Sequence, residues 1–187
     1  MNIPNLISLG RVILVPIVFW LLLQDQTQMA FVLFVVAGIS DGVDGFLAKR
    51  YGWTTELGAY LDPLADKLLI VSIFVALGVK AALPSWLVIA VVSRDILIVT
   101  GVVLAWVLDR PLRIKPAAVS KVNTLSQILL AGTVLADDGF GLGLEAARVA
   151  LVWITGMLTI ASLVTYLRTW FRHMSGYELN DGAPDAK

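Results

Sequence analysis

The sequence contains no cysteine and a single histidine, His173, so several kinds of catalytic site are excluded at once. Without cysteine there is no disulfide framework, no thiolate zinc site and no thiol nucleophile. A serine–histidine relay is possible only if it uses His173. Any catalytic site in this chain must therefore use carboxylates as its reactive groups.

The chain has no excess of charge of either sign, because 14 Lys and Arg residues balance 14 Asp and Glu residues. Nucleic acid is excluded as a partner, since binding its phosphates requires a basic surface. Charged residues make up 15% of the sequence and hydrophobic residues 58%, against about 25% and 45–50% in a soluble domain. This composition indicates an integral membrane protein.

Six apolar runs between polar breaks predict an all-α fold of six transmembrane helices. The runs are 7–24, 29–50, 58–80, 84–108, 116–136 and 146–171. They form one predicted membrane domain, residues 1–173, followed by a polar tail, 174–187, that is predicted to be disordered. A soluble helical bundle is the less favoured alternative, because the helices are apolar on all sides.

Lys and Arg residues are distributed unevenly between the two sides of this topology. The side that holds both termini carries most of them, whereas the other side holds Lys80 and Arg148. The positive-inside rule places both termini and the loops 49–58 and 109–115 in the cytoplasm, with Arg11 counted among the cytoplasmic charges. The expected location is multi-pass in a membrane such as the bacterial inner membrane.

Four aspartates lie near the cytoplasmic ends of the second and third predicted helices. Asp41 and Asp44 are three residues apart, which puts them on one helical face. Asp62 and Asp66 are four residues apart in the next helix, and the short connection lets both pairs converge. Four carboxylates with no His or Cys nearby suit Mg²⁺ or Mn²⁺. Such a site favours phosphoryl chemistry at the cytoplasmic side, between the second and third helices.

Small residues accompany these acids. Gly42 and Gly45 add no side chain to the second predicted helix, and Ala48 adds only a methyl group. Gly58 is the first residue of the third predicted helix. Such residues let a bulky diphosphate or another helix approach the backbone closely. The alternative is that Gly38 and its neighbours form only a helix-packing face, which leaves the four acids unexplained.

The chain resembles the CDP-alcohol phosphatidyltransferases in the signature Asp41-x2-Asp44-Gly45-x2-Ala48-Lys49-x8-Gly58-x3-Asp62-x3-Asp66. The resemblance extends from the opening IPNLISLGR through all six predicted spans. One position differs, because Lys49 stands where the family usually has arginine and so loses the planar guanidinium fork. The resemblance implies transfer of a phosphatidyl group from CDP-diacylglycerol to an alcohol, release of CMP, two divalent cations and a homodimer.

The resemblance also implies roles for individual residues. The implied metal ligands are Asp41, Asp44, Asp62 and Asp66. Asp66 is also the implied catalytic base, which takes the proton of the attacking hydroxyl. The positions implied for binding the donor are Pro4, Asn5, Gly45, Ala48, Lys49, Thr55 and Gly58.

The acceptor is predicted from the second half of the chain. The stretches SRDILIV, IKPAAVSKVNTLSQILLA and ASLVTYLRTWFRH resemble CMP-forming cardiolipin synthases, whose acceptor is phosphatidylglycerol. The N-terminal half resembles phosphatidylglycerophosphate synthases, so glycerol 3-phosphate is the alternative acceptor. The candidate acceptor-binding residues are Arg94, Arg113, Lys115 and Lys121. For Arg94 a structural pair with Asp95 is an alternative.

Two other classes of protein are alternatives to the enzyme. A cation- or proton-coupled transporter would also carry acids within its spans. Transporter sites lie near the bilayer midplane between repeats, whereas these acids lie near the cytoplasmic ends beside a basic loop. A non-enzymatic scaffold does not require four acids at this spacing. The sequence therefore favours an enzyme.

Overall fold

In the computed structural model, the described part of the chain folds into six helices in the predicted order. They are α1 (Ile3–Leu23), α2 (Thr27–Tyr51), α3 (Glu56–Val79), α4 (Ser85–Val107), α5 (Ala118–Phe140) and α6 (Glu145–Met174). The structure describes the backbone of residues 3–51, 56–107 and 118–174, and the side chains of residues 10–42, 67–100 and 118–171. These ranges contain no strand, so the all-α prediction is confirmed there.

Helix α5 continues through two acids beyond its predicted end. Asp137 accepts a hydrogen bond from the backbone N–H of Leu144 at 2.9 Å, and Asp138 pairs with Arg148 at 3.0 Å. Gly141 then ends the helix with a φ of 64°, a left-handed conformation that favours glycine. Its N–H donates to the carbonyl of Asp137 at 2.8 Å, which satisfies one of the last carbonyls of the helix.

The helices share one apolar core. Helix α1 packs against α2 and α3, α5 packs against α2, α3 and α6, and α4 packs against α3 and α6. The largest fully buried apolar side chains are Val18, Leu22, Ile73, Phe74, Leu77, Leu87, Val91, Leu130, Val134 and Leu135. Because α1 contacts both α2 and α3, it lies beside the two helices that carry the aspartate motif.

Three helix connections lie together at one end of the bundle. Lys80, after α3, pairs with Asp25, between α1 and α2, at 2.8 Å. Arg148, at the start of α6, donates a hydrogen bond to the carbonyl of Ala82, between α3 and α4. Consecutive helices therefore alternate in direction, and the opposite end of the bundle holds the start of α1, the end of α2 and the start of α3.

Many large apolar side chains are exposed, and several polar side chains are buried beside the apolar core. The exposed large apolar residues include Ile13, Trp20, Met29, Ile39, Ile89, Ile96, Met157, Ile160 and Phe171. The buried polar residues include Arg94, Asn123, Gln127, Thr155, Thr159 and Ser162. An apolar exterior around polar interhelical contacts is typical of helices surrounded by lipid. The chain is therefore a membrane protein.

Two helices are long and apolar enough over their described residues to cross a bilayer: Ala118–Phe140 and Glu145–Phe171. Shorter apolar stretches, Gly10–Leu23, Thr27–Gly42 and Lys67–Val79, belong to α1, α2 and α3. The six helices are thus confirmed, while six membrane crossings and the domain bounds 1–173 and 174–187 stay predictions. Residues 175–187 lie outside the described part of the chain.

Candidate active site

The aspartate motif lies at the end of the bundle opposite the three clustered connections. Asp41 and Asp44 occupy the C-terminal part of α2, and the positions of Asp62 and Asp66 follow in the N-terminal part of α3. The backbone is helical over both segments, so each pair has the spacing of one helical face. The side chains of Asp44, Asp62 and Asp66 lie outside the described residues, and the convergence of all four acids stays a prediction.

Several other predicted positions also lie outside the described side chains. Those that belong to described helices are Pro4, Asn5, Gly45, Ala48, Lys49 and Gly58. Those outside the described residues altogether are Thr55, Arg113 and Lys115. Their roles in donor or acceptor binding stay predictions.

Asp41 is the one predicted metal ligand whose side chain the structure describes. Its side chain is 43% exposed, so the carboxylate can be reached by a ligand from outside the bundle. Carboxylate oxygen is the ligand type that Mg²⁺ and Mn²⁺ prefer, so Asp41 fits the predicted ion. Among the described residues no three His, Cys, Asp or Glu side chains form a metal-binding group. The side chains of the other three predicted ligands lie outside those residues.

Arg11 contacts this carboxylate from α1. Its Nη1 lies 2.8 Å from Oδ1 of Asp41, and the arginine is only 3% exposed. The sequence predicts only a topology role for Arg11, whereas the structure places its side chain against a motif aspartate. The available signal was that a cation within an apolar span needs an acid as partner. The structure shows that Asp41 is such an acid.

Helix α2 has free space at two glycines in the described part of the structure. A Cβ atom added at Gly42 or at Gly38 would meet no described atom within 4 Å. The described residues therefore give no support to a helix-packing face at these two glycines, and Gly45 lies outside the described side chains. The open space at Gly42 is compatible with a ligand that approaches Asp41.

Arg94 is buried where α3, α4, α5 and α6 meet. The side chain is 1% exposed, and its Nη2 donates to Oγ of Ser162 at 2.7 Å and to Oγ of Ser120. It also contacts the carboxylate of Asp95, which accepts a hydrogen bond from Nζ of Lys67 at 2.8 Å. The structural pair of Arg94 and Asp95 is therefore present, and a contact of Arg94 with the acceptor stays a prediction.

Lys121, the remaining predicted acceptor residue, follows Ser120 on α5. Unlike Arg94, it is exposed. An exposed ammonium group can reach an anionic ligand without leaving a buried partner. The structure thus separates the two described acceptor candidates into one buried cation and one accessible cation.

A surface groove at the other end of the bundle is remote from the motif. Its lining includes Trp86, Arg148 and Trp153, and the two indole rings lie 5.7 Å apart. The groove is formed by the α3–α4 connection and the start of α6. None of the described lining residues carries a carboxylate.

Comparison with known protein families gives a match that extends over all six helices. The model of the CDP-alcohol phosphatidyltransferase family matches residues 1–172. The chain belongs to the CDP-alcohol phosphatidyltransferase family. The match includes the aspartate motif and the candidate acceptor residues, and it confirms the resemblance seen in the sequence.

The relatives of this chain within the family have two kinds of name. The chloroplastic CDP-diacylglycerol–glycerol-3-phosphate 3-phosphatidyltransferase 1 of Oryza sativa subsp. japonica is 37% identical over 184 residues, covering 89% of this chain and 56% of the relative. The CDP-diacylglycerol–glycerol-3-phosphate 3-phosphatidyltransferase of Haemophilus influenzae is 33% identical over 175 residues, covering 89% and 92%. The cardiolipin synthase (CMP-forming) of Rattus norvegicus is 32% identical over 182 residues, covering 88% and 60%.

The chain spans little more than half the length of the rice and rat relatives, but nearly all of the Haemophilus relative. The names of these proteins correspond to two different products. Membership of the family therefore leaves the acceptor alcohol open.

Proposed function

We propose that this chain transfers a phosphatidyl group from CDP-diacylglycerol to an alcohol, with release of CMP. The observation that carries the proposal is Asp41, a signature aspartate that is half exposed at the motif end of the bundle and paired with Arg11. Among the described residues no atom lies within 4 Å of a Cβ added at Gly42, the residue next to Asp41, and this supports the same site. Membership of the CDP-alcohol phosphatidyltransferase family argues against the transporter alternative.

The proposed reaction is a displacement at phosphorus. The acceptor hydroxyl oxygen bonds to the phosphatidyl phosphorus while the bond from that phosphorus to the CMP oxygen breaks. CMP leaves with the electron pair of the broken bond, and the hydroxyl proton passes to the carboxylate of Asp66. Because the diphosphate is already activated, the protein has to orient the two substrates, stabilise charge and accept this proton.

Two divalent cations, Mg²⁺ or Mn²⁺, are part of the proposal. The residues proposed to hold them are Asp41, Asp44, Asp62 and Asp66. When bound, such ions supply positive charge that stabilises the diphosphate and the departing CMP. The residues proposed to bind the CDP group are Pro4, Asn5, Gly45, Ala48, Lys49, Thr55 and Gly58.

Phosphatidylglycerol is the proposed acceptor, which makes the product cardiolipin. The cardiolipin synthase of Rattus norvegicus, which matches over 88% of the chain, supports this choice. Glycerol 3-phosphate is the second candidate, supported by the Haemophilus influenzae relative, 92% of which the chain covers. Lys121, Arg113, Lys115 and Arg94 are the proposed acceptor-binding residues.

The proposed arrangement in the membrane is a homodimer of six-span chains with both termini and the motif on the cytoplasmic side. The alternating helix directions support an even number of crossings, and the apolar exterior supports contact of the helices with lipid. The excess of Lys and Arg at the motif end supports the orientation.

The acceptor is tested with purified protein reconstituted in vesicles that contain CDP-diacylglycerol. Phosphatidylglycerol, glycerol 3-phosphate or neither is added with Mn²⁺, and CMP and the lipid product are measured by mass spectrometry. We expect CMP and cardiolipin with phosphatidylglycerol. If product forms with glycerol 3-phosphate but not with phosphatidylglycerol, the proposed acceptor is wrong and the proposed phosphatidyl transfer stands. If no CMP is released with either acceptor, both proposals are contradicted.

A further inference from the structure

An ion pair joins α1 to the motif end of α2. Nη1 of Arg11 lies 2.8 Å from Oδ1 of Asp41. The arginine is 3% exposed and the aspartate 43%, so the cation lies inside the bundle and the acid lies at its surface. The contact therefore runs from a buried position on one helix to a ligand-accessible position on another.

The contact between Arg11 and Asp41 links the packing of α1 to the aspartate motif. Helix α1 packs against both α2 and α3, the two helices that carry the signature aspartates. The charge-assisted contact between Nη1 of Arg11 and Oδ1 of Asp41 restricts the orientation of the carboxylate. Through Arg11, the packing of α1 therefore acts on the orientation of Asp41.

The pair is compatible with a second ligand on the same carboxylate. A carboxylate has two oxygens, so Asp41 can keep its contact with Arg11 through Oδ1 and bind a cation through Oδ2. Groups that hold a metal ligand from its far side orient that ligand, and their loss typically costs about 10–100-fold in metal affinity or activity. Arg11 contacts Asp41, a proposed metal ligand, in this way.

We infer that Arg11 is a positioning residue of the phosphatidyl-transfer site, which holds the Asp41 carboxylate from α1. The inference rests on the proposed function and assigns Arg11 a role beyond that of a topology charge. Arg11 acts through Asp41, because its burial leaves almost none of its surface for a substrate.

Kinetics of Arg11 variants in the reconstituted full chain test this role. At saturating Mn²⁺, Arg11→Gln should lower kcat about 10–100-fold. The apparent KM for CDP-diacylglycerol should stay unchanged, since Arg11 does not hold the donor itself. Arg11→Lys keeps the positive charge and should restore most of kcat. Arg148→Gln is the matched control: it removes an arginine from the ion pair with Asp138 at the other end of the bundle and should keep wild-type kcat.

A double-mutant cycle tests the ion pair without turnover. Thermal unfolding is measured in EDTA for the wild type, Arg11→Gln, Asp41→Asn and the double variant. If the two side chains interact, the two single shifts in Tm are not additive in the double variant. Arg11→Lys provides the kinetic comparison in case Arg11→Gln does not fold.

The outcomes separate this inference from the proposed function. With an active wild type, additive shifts in Tm would overturn the inference. Wild-type kcat in a folded Arg11→Gln protein, or a raised KM with unchanged kcat, would also overturn it. A wild type that releases no CMP with either acceptor would instead overturn the proposed function, and the inference with it.

Discussion

Arg94 connects three helices through one side chain. From α4 it donates to Ser120 on α5 and to Ser162 on α6, while its neighbour Asp95 also binds Lys67 of α3. A charged group inside a bundle surrounded by lipid is costly unless it has such partners. The contacts of Arg94 therefore hold α4, α5 and α6 in one relative position.

Arg94→Gln is expected to lower the free energy of unfolding by about 3 kcal/mol, because it breaks a buried charged cluster. Ser162→Ala removes one hydroxyl from the same guanidinium and should cost about 1 kcal/mol. Denaturant unfolding in detergent, followed by circular dichroism, measures both changes. The control is Lys121→Ala, at an exposed position, which should stay within about 0.5 kcal/mol of the wild type. An Arg94→Gln protein as stable as the wild type would contradict the structural role of the cluster.

The spacing of residues within one helix can be predicted from sequence, whereas contacts between helices cannot. The spacing of Asp41 and Asp44 is local, so the helical periodicity of a short segment predicts that they share a face. The partner of Arg11 depends on how α1 packs against α2, and the hydroxyl partners of Arg94 lie on two other helices. Such contacts depend on tertiary packing, which hydropathy and spacing do not encode.

At the scale of the helices, order and number could be predicted but ends could not. Each span is defined by a local apolar run of about 20 residues, which hydropathy detects directly. Hydropathy placed the end of α5 before Asp137, whereas the helix ends where Gly141 takes a positive φ. Helix ends depend on capping contacts with the following loop, here the hydrogen bond from Leu144 to Asp137.

The space that the described residues leave at Gly42 on α2 leads to a prediction. If the donor occupies the space beside Asp41, Gly42→Leu should lower turnover by about tenfold or more, because it displaces the diphosphate from the aspartates. Leucine is the better helix former, so the free energy of unfolding should hold or rise by about 0.5–1 kcal/mol. CMP release and unfolding of the same preparation measure the two effects.

Gly38→Leu is the matched control for this substitution. Gly38 lies one helical turn before Gly42 on α2, and a Cβ there also meets no described atom within 4 Å. Wild-type turnover is expected. Equal losses at both positions would assign the effect to the exterior of α2, and full activity of Gly42→Leu would show that the donor does not use this space.

For the whole molecule, the alternating helices predict which segments share a side of the membrane. The chain has no cysteine, so single cysteines can be introduced without background. Leu142→Cys, at an exposed position between α5 and α6, and Gln24→Cys, between α1 and α2, should react with an impermeant maleimide added to intact cells. Gly182→Cys should react only after the membrane is permeabilised, because the positive-inside rule places the C-terminus in the cytoplasm.

Two labelling results would contradict this topology. Labelling of Gly182→Cys from outside would invert the orientation and place the motif in the wrong leaflet for release of CMP into the cytoplasm. Labelling of Leu142→Cys and Gln24→Cys from different sides would contradict a bundle in which both connections lie at one end.

The most direct test of phosphatidyl transfer at the aspartate motif is CMP release from CDP-diacylglycerol by Asp41→Asn, measured beside the wild type. The control is Asp25→Asn, which removes an acid from the Lys80 ion pair at the other end of the bundle. Asp25 has a φ of 59°, and asparagine tolerates this left-handed conformation. We predict that the wild type and Asp25→Asn release CMP when Mn²⁺ and an acceptor are present, and that folded Asp41→Asn does not. Near-wild-type CMP release by Asp41→Asn at saturating Mn²⁺ would contradict the account.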